Sequence, residues 1–355
     1  MLIELPRPLA QVWFCANGAR PNAAAFQSYS VHAAAEVALT PDNITDIEAA
    51  TVPTGVVTAG VALFRTLQLE LALLSRTKEE AAPGAKPWLL VWGGAGSTGV
   101  FLIQLARLAG FRIICAASPI NEEYVKGLGA EVVLDRWQTG EQLVEQIRAA
   151  TGDDVHLAVD NVGPKTAALC AQVVAGSASW RKVNNTETLP NTSSTARLLA
   201  IAGLPKVPAA DAADAAASDA LRTVEQPRLS FSTTFYGHHT FSAPFLDAIS
   251  AALARGHVKP GRSRVIGGGL WGIEAGLGEL KRGSGQGGFK LVARLGEKEV
   301  NVMGAKQVAV PQEEEVVKAK RGLDGAEEGV AKKPKTVAIA EPTTEAEVDA
   351  VTYRM

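Results

Sequence analysis

The chain has 355 residues, of which 47% are hydrophobic and 20% are charged, and its formal net charge at pH 7 is −2. This composition is typical of a globular protein, and the length suffices for two modest domains. The near-neutral charge argues against nucleic-acid binding, and no apolar run is long enough to span a bilayer. Cys15, Cys115 and Cys170 lie far apart and show no zinc-ligand spacing, so we expect a cytoplasmic protein without a metal site.

The predicted elements follow an alternating order. Residues 25–31 read as a short strand, and residues 46–73 as two helices that begin after Thr45 and break near Pro53. The next predicted strands are 88–92, 112–116, 131–134, 155–159, 197–203 and 229–236, and the predicted helices are 98–109, 119–128, 141–150, 164–174 and 246–255. Such alternation predicts an α/β fold with a doubly wound parallel sheet.

The last part of the chain changes in character. Residues 289–295 alternate as a final strand, and residues 177–195 form a polar loop insertion between a helix and a strand. Beyond residue 296, charged runs such as Lys332–Lys335 alternate with small residues without an apolar face, so 297–355 is predicted to be a mostly disordered tail. Its basic clusters fit a solvated tail or a patch that binds anions or directs nuclear import.

A glycine cluster follows the apolar run 88–92 and precedes the helical pattern at 98–109. Gly94, Gly96 and Gly99 fit the spacing G-x-G-x-x-G. Between a strand and a helix, these glycines would allow a tight turn, approach of a pyrophosphate and close helix–strand packing. The alternative is a glycine-rich turn that binds no ligand.

The tip of the second strand distinguishes between the two nicotinamide dinucleotides. An NAD site usually has an acidic residue there, but this chain has Ser118 and then Asn121. Both can donate to a 2′-phosphate without repelling it, which favours NADP. Ser118 also fits a helix N-cap with Pro119 at the first helical position, and the two roles are compatible.

Several short motifs then resemble one known family in their order. They are Phe26-Gln-Ser-Tyr29, Ala49-Ala-Thr-Val-Pro53, Thr58-Ala59, the loop 93–99, Leu128-Gly-Ala130, Val159-Asp-Asn-Val-Gly163, Gly256-His-Val-Lys-Pro260 and Gly268-Gly-Leu-Trp-Gly272. Over residues 20–295 the chain resembles the zinc-independent medium-chain dehydrogenase/reductase superfamily, and within it the fungal trans-acting enoyl reductases of the lovastatin type.

This resemblance implies an architecture and an activity. It implies a Rossmann domain (56–240), a partial GroES-like β domain formed by a remnant (1–55) and a C-terminal return (241–296), and then the tail. It also implies NADPH as hydride donor and an α,β-unsaturated acyl or polyketide thioester as substrate, with a possible polyketide synthase partner. Most of the family's GroES-like domain has no counterpart here, so we expect either a truncated gene model or a reduced protein.

The resemblance also assigns site residues. Gly96, Ser97, Thr98 and Gly99 would hold the pyrophosphate, and Ser118, Pro119, Ile120 and Asn121 the adenosine phosphate. Thr58 would lie beside the nicotinamide and substrate as the catalytic donor or positioning hydroxyl, although its residue type fits equally a helix-interior threonine that bonds within its own turn. Gly287 and Gly288 would form a C-terminal cofactor contact. The family often has a basic residue where Ile120 stands and a Tyr where Arg136 stands, and Arg136 could meet a phosphate instead.

Three functions remain open at this point. The first is an NADPH-dependent enoyl reductase, and the second is a quinone or enone reductase of the same superfamily. The third is a non-catalytic NADPH-binding protein. His238 and His239 are adjacent near the end of a predicted strand, where neighbouring side chains face opposite ways, which argues against a paired metal site. Asp160 is predicted to be a polar strand-end residue near the cofactor crevice.

Overall fold

The computed structural model describes residues 11–27, 29–75, 87–176, 196–205, 224–282, 288–294 and 350–354. The strands are β1 (Val12–Phe14), β2 (Tyr29–Ala33), β3 (Val37–Leu39), β4 (Trp88–Trp92), β5 (Arg112–Ala117), β6 (Val132–Asp135), β7 (Val155–Asp160), β8 (Arg197–Ala200), β9 (Ser263–Ile266), β10 (Lys290–Ala293) and β11 (Ala350–Arg354). The α-helices are α1 (Asp46–Ala49), α2 (Pro53–Gly60), α3 (Gly99–Leu108), α4 (Glu122–Leu128), α5 (Gly140–Thr151), α6 (Pro164–Gly176), α7 (Phe231–Phe235), α8 (His239–Ala254) and α9 (Gly272–Lys281). No helix within these ranges is long and apolar enough to cross a bilayer.

The central element is a five-stranded parallel sheet in the order β6-β5-β4-β7-β8. Counted along the chain from β4, this is the order 3-2-1-4-5 that characterises a Rossmann sheet. After β4 the chain adds β5 and β6 on one side of that strand, and then β7 and β8 on its other side. The strand order therefore changes direction at β4. The predicted doubly wound α/β fold is therefore confirmed.

Strand β4 is central because its residues are apolar on both faces. All five side chains from Trp88 to Trp92 are buried. Leu89 and Val91 join the core beneath α2 and α3, whereas Leu90 and its two flanking tryptophans join the core beneath α5 and α6. A strand covered by helices on both faces reads as a continuous apolar run, and this made β4 predictable.

The helix boundaries have local causes. The Thr45 side chain accepts a hydrogen bond from the Glu48 backbone N–H at 3.3 Å, which confirms the predicted cap of α1. Pro53 begins α2, so the predicted break is also confirmed. A π-helical segment (Val61–Thr66) and a 3-10 segment (Leu71–Ser75) follow α2.

The strand predicted at 229–236 is wrong, because residues 231–235 form helix α7. The rings of Phe231 and Phe235 stack at 6.2 Å between centroids, one helical turn apart. In this short window the apolar residues fit both a period of two and a helical i, i+4 spacing. Packing of Phe235 in the core selects the helix.

The strand predicted at 25–31 lies later in the structure, at Tyr29–Ala33. Phe26 has a φ of 65°, a left-handed conformation that an extended strand does not allow. The extended segment therefore begins only after this turn.

Outside the large sheet, the described strands form two-stranded pairs. β1 pairs with β3 and β2 with β11 in antiparallel fashion, while β9 and β10 are parallel. Strand β11 lies within the predicted tail and was not predicted. Residues 297–349 and 355 of the tail, and the predicted loop insertion 177–195, lie outside the described residues.

Candidate active site

The glycine loop forms a tight turn at the carboxyl end of β4. Gly93 has a φ of +81°, and the backbone N–H groups of Gly93 and Gly94 both donate to the Ala116 carbonyl of β5, at 3.0 and 3.2 Å. The Gly96 N–H then donates to the Gly93 carbonyl at 3.0 Å. These bonds hold the loop over the carboxyl edge of the sheet, where open α/β sheets bind ligands.

Close backbone approach explains the third glycine of the predicted pattern. A Cβ atom at Gly99 would lie 2.3 Å from the Gly93 carbonyl oxygen and 2.8 Å from that of Gly94. At Gly96, a Cβ would lie 3.2 Å from the Gly93 oxygen, and this residue is exposed. The loop therefore has the close packing and the open backbone that a pyrophosphate site needs.

The N-terminus of α3 adds an electrostatic component. Thr98 occupies the N-cap position, and its side chain makes no capping hydrogen bond. Ser97 is exposed beside it. The first N–H groups of a helix carry a partial positive charge and favour an anion, so this end of α3 fits a phosphate group.

A cavity of about 1170 Å³ opens beside the loop. Ala95, Gly96 and Ser97 form part of its wall. The remaining lining is largely apolar. Phe101 of α3 lies next to the loop, and other lining residues come from distant parts of the chain, including Trp13, Phe14, Pro53, Tyr124, Ile266, Leu270, Phe289 and Leu291. A volume of this size accommodates a dinucleotide end together with an apolar substrate.

Positive charge prevails among the ionisable groups of this cavity. Among the described residues that line it, Arg262, Lys290 and Arg294 are cationic and Asp46 is acidic. Burial lowers the pKa of the Lys290 ammonium group, although the nearby Cys15 thiol opposes this shift. The cavity is therefore suited to an anionic ligand.

Two predicted cofactor residues, Asn121 and Gly288, lie close together near the tip of β5. Ser118 has extended backbone angles before the 3-10 turn Pro119–Asn121, and its side chain makes no capping bond. Ile120 is exposed, whereas Asn121 is buried. A Cβ at Gly288 would lie only 2.6 Å from Asn121 Oδ1, and Gly288 has a φ of +99°. The predicted C-terminal contact thus lies directly against the predicted adenosine end; Gly287 lies outside the described residues.

Arg136 lies next to the same strand tip but outside the cavity lining. Its backbone N–H donates to the Ala117 carbonyl at 3.0 Å. Its exposed guanidinium carbon lies 4.0 Å from the centroid of the Trp137 ring. A nearby cation, Lys126, is engaged with Glu122 at 2.6 Å.

The predicted catalytic residue, Thr58, is one turn away from the cavity. Its hydroxyl donates to the Thr54 carbonyl within α2 at 2.7 Å, and its side chain is buried. Thr54 itself lines the cavity, and its hydroxyl accepts a hydrogen bond from the Cys15 thiol at 3.9 Å. Thr58 therefore does not line the cavity itself but is hydrogen-bonded to Thr54, which does.

Two further residues have structural partners. The buried Asp160 carboxylate accepts hydrogen bonds from the N–H groups of Val162 and Gly163, at 3.2 and 2.9 Å, and burial raises its pKa. The placement of His238 and His239 near a strand end is wrong, since His238 precedes helix α8 and His239 begins it. The His239 imidazole lies 3.3 Å from the buried Glu36 carboxylate. Within the described ranges, no three His, Cys, Asp or Glu side chains come together as a metal site.

The sequence did not predict that Arg262 and Lys290 line the cavity. Arg262 and Lys290 are separated by 28 residues, and neither belongs to a binding motif. Nothing in the local pattern marks them, since the pairing of β9 with β10 is what brings them together: the Lys290 N–H donates to the Arg262 carbonyl at 2.8 Å.

Comparison with known proteins supports the expected family. Residues 97–179 match the family model described as zinc-binding dehydrogenase. The trans-enoyl reductase caaB of Aspergillus niger is 33% identical over 156 residues, which are 43% of this chain and 42% of that protein. The predicted resemblance to medium-chain dehydrogenases/reductases, and to fungal trans-enoyl reductases among them, is confirmed.

Two further comparisons define how far this resemblance extends. A zinc-type alcohol dehydrogenase-like protein of Schizosaccharomyces pombe is 32% identical over 163 residues, 45% of each chain. The chain thus spans less than half the length of the curated relatives that it matches here. A quinone oxidoreductase structure from Pseudomonas syringae superposes on 73% of this chain and 68% of its own, with a TM-score of 0.50 and 18% identity, and this supports the fold.

Proposed function

We propose that this protein is an NADPH-dependent enoyl reductase that reduces an α,β-unsaturated acyl or polyketide thioester. The observation that carries this proposal is the cavity that has the glycine loop as one wall and apolar side chains as the others. A dinucleotide held at the loop would place its reactive end among groups suited to an acyl chain. The similarity to trans-enoyl reductases supports this choice of substrate class.

The backbone of the loop and the start of α3 supply the cofactor site. The N–H groups of Gly96 to Gly99 would bind the pyrophosphate, as would the hydroxyls of Ser97 and Thr98. Ser118 to Asn121 would hold the adenosine end, where the lack of an acidic side chain at the tip of β5 favours NADPH over NADH. Arg136, Gly287 and Gly288 would complete this end.

The remaining residues would shape the reaction. A bound NADPH would supply the hydride for the β-carbon of the enoyl group, and a proton taken up from solvent would complete the reduction at the α-carbon. Lys290 and the Thr54 hydroxyl line the cavity and can donate to the thioester oxygen as negative charge develops on it. Thr58 would act as a positioning residue, because its hydroxyl bonds to the Thr54 carbonyl. The apolar walls would exclude water around the acyl chain.

The substrate would arrive as a free thioester or on an acyl carrier. The names of the similar trans-enoyl reductases favour an acyl chain delivered by a separate enzyme. A polyketide synthase is therefore our proposed partner, in the cytoplasm.

The decisive experiment measures cofactor binding and turnover in the same preparation. We expect NADPH fluorescence to report saturable binding, and NADPH absorbance to fall when crotonyl thioester is added. Gly99→Ala should weaken NADPH binding by at least about tenfold, because its Cβ would collide with backbone oxygens. Gly127→Ala is the matched control, since nothing lies within 4 Å of a Cβ at Gly127 on α4.

Each result has a distinct meaning. Saturable NADPH binding without reduction of the thioester would contradict the reductase activity and favour a non-catalytic NADPH-binding protein. Equal weakening in the two glycine variants would contradict the assigned loop.

A further inference from the structure

We infer that Arg262 binds the 2′-phosphate of NADPH and so acts with Ser118 in selecting this cofactor over NADH. This inference rests on the proposed function, because it assumes that a dinucleotide occupies the cavity beside the glycine loop. It assigns a specificity role to a residue on β9's N-terminal side, 144 positions after Ser118 in the chain.

The Arg262 side chain is held between two elements. Its guanidinium carbon lies 3.9 Å from the centroid of the Tyr124 ring on α4 and 5.8 Å from that of Phe289. The Arg262 backbone is held as well, since its N–H donates to the Tyr124 hydroxyl at 3.2 Å and its carbonyl accepts from the Lys290 N–H at 2.8 Å. Arg262 is exposed, and its guanidinium group is held against two aromatic rings while its backbone is fixed by two hydrogen bonds.

These contacts place Arg262 near the adenosine end of the proposed site. Tyr124 belongs to the first turn of α4, which begins directly after the turn Pro119–Asn121. Gly288, next to Phe289, lies directly against Asn121. Tyr124 and Arg262 line the same cavity as Gly96 and Ser97. Arg262 therefore lines the cavity beside the glycine loop and contacts α4 and Phe289, whose chain neighbours lie at the tip of β5.

The charge of Arg262 is not neutralised by an acidic neighbour among the residues that the structure describes. Arg264, two residues later, is paired with Glu279, and Lys126 is paired with Glu122. The guanidinium group forms a planar fork that fits a phosphate bidentately. In Rossmann domains that bind NADP, an arginine near the tip of the second strand, here β5, accommodates the 2′-phosphate.

The test compares ligands that differ only by the 2′-phosphate. Dissociation constants are measured for NADPH and NADH by fluorescence, and for 2′,5′-ADP and 5′-AMP by competition, with the full-length chain and its variants. We expect Arg262→Met to weaken NADPH and 2′,5′-ADP by about tenfold or more, and to leave NADH and 5′-AMP within about twofold. The NADPH affinity of Arg262→Lys should lie between those of the parent protein and Arg262→Met, since lysine keeps the charge but loses the planar fork of the guanidinium group.

Arg264→Met is the matched control, because its charge is already paired; it should leave all four dissociation constants unchanged. Methionine keeps much of the apolar stem against Tyr124, and circular dichroism checks that each variant is folded. Should Arg262→Met not fold, a selective loss in Arg262→Lys still supports the inference, and its absence overturns it.

Two other results would overturn the inference. These are equal losses for NADPH and NADH in Arg262→Met, and failure of the parent protein to bind 2′,5′-ADP in preference to 5′-AMP. By contrast, selective 2′,5′-ADP binding that depends on Arg262, in a protein that does not reduce crotonyl thioester, would support the inference and contradict only the proposed reductase activity.

Discussion

The two walls of the cavity are built in different ways. The glycine loop belongs to one continuous segment, β4–loop–α3, whose residues are neighbours in sequence as well as in space. The rest of the lining, the second wall, combines Trp13 and Phe14 with Arg262 and residues 288–294, which come from segments more than 240 positions apart. The first wall is anchored in a buried parallel sheet, whereas the second is built largely on two-stranded pairs, in which buried residues such as Trp13 stand beside half-buried ones such as Leu291.

Under the proposed function, the first wall binds the part that both dinucleotides share, and the second wall distinguishes between cofactors and between substrates. The loop offers backbone N–H groups that suit the pyrophosphate of either dinucleotide. The other wall offers the cations Arg262 and Lys290 and the apolar surface, which would distinguish one cofactor or substrate from another. We therefore expect changes in the first wall to affect stability and all cofactor binding, and changes in the second to affect selectivity.

The largest expected effect compares a leucine from each wall. Leu90 is fully buried at the centre of the sheet, whereas Leu291 is half-buried on β10. Leu90→Ala should lower the free energy of unfolding by about 2–5 kcal/mol, and Leu291→Ala by roughly 1 kcal/mol or less. Urea unfolding of both variants measures this, and equal losses would contradict the distinction between the walls.

A second expected effect is a loss of stability in acid, caused by His32 on strand β2. His32 on β2 is buried, and burial together with the nearby charge of Arg20 lowers its pKa to about 4 from an ordinary 6.5. The native state therefore keeps His32 neutral, while the unfolded chain takes up a proton as the pH falls below 6.5. Stability should decline from pH 6.5 to pH 4, by at most about 3 kcal/mol.

The measurement is the free energy of unfolding as a function of pH in that window. His32→Gln should flatten the profile. His156→Gln is the control, since His156 lies half-buried on β7 and hydrogen-bonds to Asp154 at 2.6 Å. An unchanged slope in His32→Gln would show that other groups cause the acid sensitivity.

The smallest expected effect involves Lys290. Burial disfavours its charged form, so Lys290→Met should remove that penalty and raise the midpoint of thermal unfolding. The same change removes a proposed donor to the thioester oxygen and should lower the rate of crotonyl thioester reduction severalfold. Lys259→Met, at an exposed lysine whose backbone rather than side chain is hydrogen-bonded to Gln104, should change neither property. Weaker folding together with an unchanged rate of reduction would contradict this role of Lys290.

Much of the sheet was predictable because its strands are defined by local pattern. β4, β5, β6 and β7 all lie within about a residue of their predicted bounds, and the predicted break at Pro53 is present. Residues 229–236 were not predictable in the same way, because their spacing fits two periods and only packing decides between them. The β2–β11 pair joins segments over 300 positions apart, and no local signal marks such a pairing.

The candidate site divides along the same line. The strand–glycine–helix pattern and the missing acid at Ser118 pointed to the loop and to the tip of β5. The close approach of Gly288 to Asn121 was not predicted, and the cofactor roles of these two residues remain predictions. The place of Arg262 beside Tyr124 could not be inferred, since it depends on how β9 and α4 approach each other.

The sequence by itself determined the parallel sheet and its glycine turn, because apolar runs, glycines and prolines act over a few residues and leave a readable periodicity. Only the tertiary structure decided which distant side chains face that turn: the apolar surface, Lys290 and Arg262. Their positions depend on strand pairing and on long-range packing, whose energy is distributed over many residues and is encoded in no single motif.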